Sequence, residues 1–164
     1  MDAIAEGWHD FFLGQLGASA ALAGLLFVAI SINLERILAA PGLPDRAMLA
    51  ILLLLGGLVI SALMLIPRQP PAVLGVEALV IGAVVLAAGT MIEFVLARAP
   101  RHQSTLVFAA NAVLFAGSAL PYIIGGVLLV FGDPTGLYWV AGAVVFSVIK
   151  AVADAWVLLV EIHR

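Results

Sequence analysis

The chain has 164 residues, 65% of them hydrophobic and only 10% charged, with a net charge of −3. Its mean hydropathy of +1.23 excludes an ordinary soluble domain, which would expose large sticky patches. The small net charge and the absence of a basic cluster argue against a nucleic-acid partner, and the absence of cysteine excludes disulfides, thiolate metal sites and thiol catalysis.

The opening residues, MDAIAEGWHDFF, carry Asp2, Glu6 and Asp10 but no Lys or Arg. A secretory signal peptide needs a basic start, so the first apolar stretch is expected to be a retained spanning helix. A hydrocarbon core of about 30 Å requires roughly 20 apolar residues in a helix. Five stretches meet this, at about 11–34, 46–66, 72–97, 105–131 and 136–160. The expected architecture is therefore all-α: one transmembrane domain over 1–164, a bundle of five transmembrane helices in the lipid bilayer. A lipid-spanning β-barrel would need strict alternation, which is absent.

The first helix carries Gly17, Gly24 and Ser31 at seven-residue intervals and ends in Ser31, Asn33 and Glu35. A heptad of small residues keeps one face turned to a neighbour. In lipid, where apolar surface alone drives little association, small residues allow close backbone approach. The third spanning helix repeats the device with Gly75, Gly82 and Gly89. Two uses are open: packing of the first helix on the third, or contact with a second copy or an axial pore.

The segment between the first two helices, ERILAAPGLPDR, has two prolines, and Asp45 is placed to cap the second helix. PRQPP and GDPTG read as turns, and Ser104 in RAPRHQS can cap the fourth helix. Pro121 interrupts the fourth helix and removes one backbone hydrogen bond, so a kink or hinge is expected there.

Glu93, Asn111, Lys150 and Asp154 stand out among the polar residues of the spans. Glu93 lies about 7 Å from the end of its helix at 1.5 Å per residue, Asn111 and Asp154 about 10 Å, and Lys150 near the midplane. With Ser31, Asn33 and Glu35 they form one polar layer drawn from four helices. Such charges cost about 2.5–3.5 kcal/mol each on insertion scales, so they are expected to face the bundle and find partners. Lys150 and Asp154 are spaced i, i+4 and share a helix face. They read either as a self-neutralising pair or as a gate, ion site or proton-responsive pair. Glu93 is followed by Arg98 and Arg101, beside which it could snorkel. Glu77 and Glu161, near helix ends, are expected to be solvated.

Arg36, Arg46, Arg98, Arg101 and Arg164 lie on one side of this topology and Arg68 alone on the other. The asymmetry predicts a cell inner (plasma) membrane protein with its N-terminus outside and its C-terminus cytoplasmic. Trp8, Tyr138 and Trp139 would then form an outer aromatic belt, with Trp156 toward the inner face. His9, His102 and His163 all lie at helix ends, where none can ligate haem or serve a buried Ser–His dyad. No zinc-protease or nucleotide motif is present. Neither an enzyme nor a cofactor is expected, and a metal is left open.

The stretch SAALAGLLFVAISINLE, residues 19–35, resembles the first, pore-lining helix of the Orai calcium channels, and PGLPDRAMLAILLLLGGLVISALMLIP looks loosely like their second. The resemblance implies a homo-oligomer whose first helix lines a pore. Ser31 stands near the family's selectivity glutamate, so calcium selectivity is not carried over. As a whole the chain looks like small bacterial multi-pass membrane proteins. The expected function is a small homo-oligomeric channel or pore lined by the first helix. The alternative is a non-conducting accessory, scaffold or modulator subunit of a larger membrane complex.

Overall fold

The computed structural model describes the backbone of residues 2–98 and 105–162, and side chains from 7 to 96 and from 109 to 160. Arg101, His102, Ser104, His163 and Arg164 lie outside the described residues, as do the side chains of Arg98 and Glu161. The described residues form six helices and no strand: α1 (Asp2–Ile32), α2 (Leu34–Ala39), α3 (Leu43–Met64), α4 (Pro71–Arg98), α5 (Thr105–Val130) and α6 (Gly136–Ile162). Five of them, all but the short α2, are long and apolar enough to cross a membrane.

Four spanning helices close a ring in which α3 packs on α4, α4 on α5, α5 on α6, and α6 back on α3. The remaining one, α1, lies outside this ring, mainly against α3. Burial follows the layout: half of the most apolar window of α3 is buried, but only 17% of that of α1. The interior divides along the bundle axis. Toward one end Phe12, Ile60, Tyr122 and Val144 pack together. Toward the other, Leu49, Leu53, Val85 and Phe115 do. Trp8 stacks edge-on against Tyr138 with ring centroids 4.8 Å apart, which marks the first end as the aromatic end.

Two of the boundary differences from the sequence expectation bear on candidate residues. The first helix stops at Ile32, and the chain turns at Asn33 into α2, so Gly17, Gly24, Ser31, Asn33 and Glu35 do not share one continuous helix face. The Asn33 amide donates to the Ala29 carbonyl at 3.0 Å instead of capping α2, a local bond that competes with helix continuation. Nor does Asp45 cap the second spanning helix. That helix starts earlier, after Gly42 at φ 81, with Pro44 in its first turn. Glycine tolerates the left-handed turn, and proline suits a first turn because its missing N–H has no partner there. α5 runs through Pro121 as one helix.

The two glycine stripes do not pack on each other. Gly75, Gly82 and Gly89 are buried against α5. A Cβ on Gly75 would come within 2.7 Å of the Gly126 carbonyl oxygen, one on Gly82 within 2.8 Å of Tyr122 Cβ, and one on Gly89 would collide with the Phe115 ring. Gly125 and Gly136 repeat the contact between α5 and α6, each Cβ meeting the other's carbonyl oxygen at 2.6 and 2.5 Å. Gly17 and Gly24 are exposed, and a Cβ on either would meet nothing within 4 Å among the described residues. Packing of the first stripe on the third spanning helix is therefore overturned. That helix uses its glycines on α5, and α1 turns its glycines away from the bundle.

Candidate functional site: a buried charge network

Each helix of the ring sends one or two polar side chains into a common interior cluster. The antiparallel packing of neighbouring helices brings together residues far apart in sequence. From α6, Lys150 and Asp154 project one turn apart on the buried face, and Lys150 Nζ lies 2.5 Å from Asp154 Oδ2. From α3, Arg46 Nη1 reaches Asp154 Oδ1 at 3.4 Å. From α4, Glu93 Oε1 lies 3.2 Å from Lys150 Nζ. From α5, the Asn111 amide nitrogen donates to both Glu93 oxygens at 2.9 Å. The chain of contacts runs Arg46, Asp154, Lys150, Glu93, Asn111, and its two cations balance its two anions.

Burial is nearly complete at its centre. Lys150 is fully buried and Asp154 is 2% exposed, while the Glu93 side chain keeps 19%. Isolated charges in such surroundings are costly to bury, and these side chains are paired with one another. Of the sequence candidates, Glu93, Asn111, Lys150 and Asp154 all meet here, and Lys150–Asp154 is not a closed pair. Glu93 does not simply snorkel, because it closes the network between α4, α5 and α6.

Arg46 escaped the sequence reading, which counted it among the loop cations. The earlier start of α3 places it in the first turn of the helix, buried and facing α6. Its signal was Asp154, an anion with two acceptor oxygens and only one local cation. Ser31, Asn33 and Glu35 do not join the cluster. They line an open groove at the α1–α2 bend, and the Ser31 hydroxyl donates to the Phe27 carbonyl at 2.8 Å. Glu77, expected to be solvated, is half-buried and accepts a 2.8 Å hydrogen bond from Gln69.

Past Lys150 toward the aromatic end, α5 and α6 carry uncharged polar groups. Ser147, one turn before Lys150, donates to the Ser118 carbonyl at 3.4 Å. Tyr122 follows one turn beyond Ser118 and is fully buried. No group of three or more His, Cys, Asp or Glu able to hold a metal occurs among the described residues.

The fold and its lipid-length helices define an all-α, multi-pass membrane protein with a charge-balanced polar cluster inside a four-helix ring. No family model, curated protein or solved structure matches the chain.

Proposed function

We propose that the chain is a homo-oligomeric membrane protein whose protomers meet along the outer face of α1 and pass ions there, as the resemblance to the first Orai helix implies. One observation carries this reading. Among the described residues, a Cβ on Gly17 or Gly24 would meet nothing within 4 Å, whereas one on any glycine of the second stripe would meet α5. Small residues gain nothing from facing lipid, but they permit the close backbone contact that drives helix association in a bilayer. With Arg36, Arg46, Arg98, Arg101 and Arg164 cytoplasmic, the protomer sits in the plasma membrane with its N-terminus outside. It carries out no chemistry of its own.

A second reading is favoured by the hydrogen bonds that Ser31 and Asn33 make to their own helix. Side chains satisfied in this way suit an apolar docking face better than a pore wall. α1 would then dock on a larger membrane complex without conducting.

The test is oligomeric mass in mild detergent and ion flux in liposomes for the wild type, Gly24→Leu and Leu26→Ala. Leucine at Gly24 separates the contact and breaks the oligomer. Leu26, in the bundle core, loses stability on truncation with the oligomer intact. A wild-type monomer without flux would end the channel reading and leave the accessory one.

A further inference from the structure

Among the described residues, the buried side-chain polar atoms without a hydrogen-bond partner are unevenly spread. Apart from Arg46 Nε, all belong to the aromatic half: Gln15 Oε1, Ser19 Oγ, Ser61 Oγ, Gln69 Oε1, Glu77 Oε2 and the Tyr122 hydroxyl. Packing aligns several of them. A Cβ on Gly57 would lie 3.4 Å from Ser19 Oγ and 3.5 Å from Val144, so α1, α3 and α6 meet at the level of Ser19. One turn further along the antiparallel α1 and α3, Ser61 stands opposite Gln15. On α5, the Tyr122 hydroxyl approaches Ser147 without a bond of normal geometry. Ser147 is one turn from Lys150.

Buried polar groups in proteins are satisfied by protein or by ordered water, and a water needs two to four polar partners. Three fully buried hydroxyls, two amide oxygens and a carboxylate oxygen in this half are left for water to satisfy. We propose that this half of the interior holds a file of water that carries protons from the aromatic end to the charge network, making each protomer a proton pathway distinct from any pore along α1. At each step one O–H bond forms as the next breaks, so the hydroxyls and waters end as they began. The last water gives its proton to Glu93, which shares Lys150 with Asp154 and, still partly exposed, releases it at the charged end. The ammonium of Lys150, held between those carboxylates, repels metal cations while protons pass between oxygens.

The experiment uses purified full-length protein in liposomes with an internal pH-sensitive dye and a potassium diffusion potential set by valinomycin. The wild type should dissipate the imposed potential as inward proton flux. Tyr122→Phe and Ser19→Ala, which remove one hydroxyl each at nearly constant shape, should slow it about tenfold, the rate equivalent of one buried hydrogen bond. Val113→Ala, on the exposed side of α5, should conduct as the wild type does. Liposomes carrying folded, monodisperse wild type yet as proton-tight as empty ones would overturn the proposal, as would a Tyr122→Phe variant with wild-type flux. Thermal unfolding gives an independent reading. Removing an orphaned hydroxyl from a dry core raises the midpoint, whereas removing it from a hydrated file lowers it, so a raised midpoint for Tyr122→Phe also refutes the water file. Potassium flux without valinomycin reports any pore along α1, so failure of that reading is scored separately.

Discussion

Lys150 holds Glu93 at 3.2 Å while it also holds Asp154, so the i, i+4 pair on α6 is one link of an interhelical chain. Removing Lys150 strands two carboxylates, of which only Asp154 retains a cation, Arg46. Lys150→Met should therefore cost about 3–5 kcal/mol, the range for breaking a buried pair. Adding Glu93→Gln should restore more of the loss than adding Asp154→Leu, because it leaves the Arg46–Asp154 pair intact. Thermal unfolding in detergent measures both cycles. Better rescue through Asp154 would mean that the local pair acts alone.

Backbone contact at Gly75 makes a second prediction. Alanine there must push apart α4 and α5, because its Cβ would lie 2.6 Å from the Val130 nitrogen. Overpacking of this kind costs about 1–3 kcal/mol. Alanine at Gly17 meets open space within the protomer and should leave the unfolding midpoint of the dissociated protomer unchanged or slightly raised. Equal losses at both positions would show that Gly17 is packed in the protomer.

Orientation can be read directly. The basic asymmetry predicts that a cysteine introduced at Ala3 reacts with an impermeant thiol reagent in intact cells, while one placed between positions 98 and 101 does not. The opposite pattern would invert the topology.

Asp133, in the exposed turn between α5 and α6, accepts hydrogen bonds from the Thr135 backbone N–H at 2.9 Å and from its hydroxyl at 2.7 Å. These bonds hold its carboxyl below the ordinary carboxylate range. A depressed folded value means the contribution is present above the unfolded value, near pH 4, and is lost as pH falls through the folded one. The stability difference between wild type and Asp133→Asn should therefore be constant at neutral pH and vanish in acid. Denaturant unfolding at a series of pH values checks this, and a difference that grew on acidification would contradict it.

The five spans were legible because each is a local property of some 20 residues, and composition alone reports it. The Lys150–Asp154 contact was legible for the same reason, since one helical turn fixes it. Arg46 was not, because its role depends on a helix start shifted by Gly42 and Pro44 and on a partner 108 residues away. The partners of the glycines were hidden likewise. Heptad spacing marks a face, but only tertiary packing decides that Gly75 meets Gly126 while Gly17 meets nothing.

The separation between Arg46 and Asp154 also imposes an order of events on biosynthesis. When α3 leaves the ribosome, the anion that neutralises its arginine has not yet been translated, and four-fifths of the intervening helical sequence must still enter the bilayer. Arg46 can wait because it lies in the first turn of α3, close enough to the headgroups for its long side chain to remain in water. Lys150, near mid-span, has no such refuge, but it is made after Arg46 and Glu93 and travels with Asp154 four residues behind it. The last helix thus arrives carrying its own counterion, and its docking draws the waiting arginine inward.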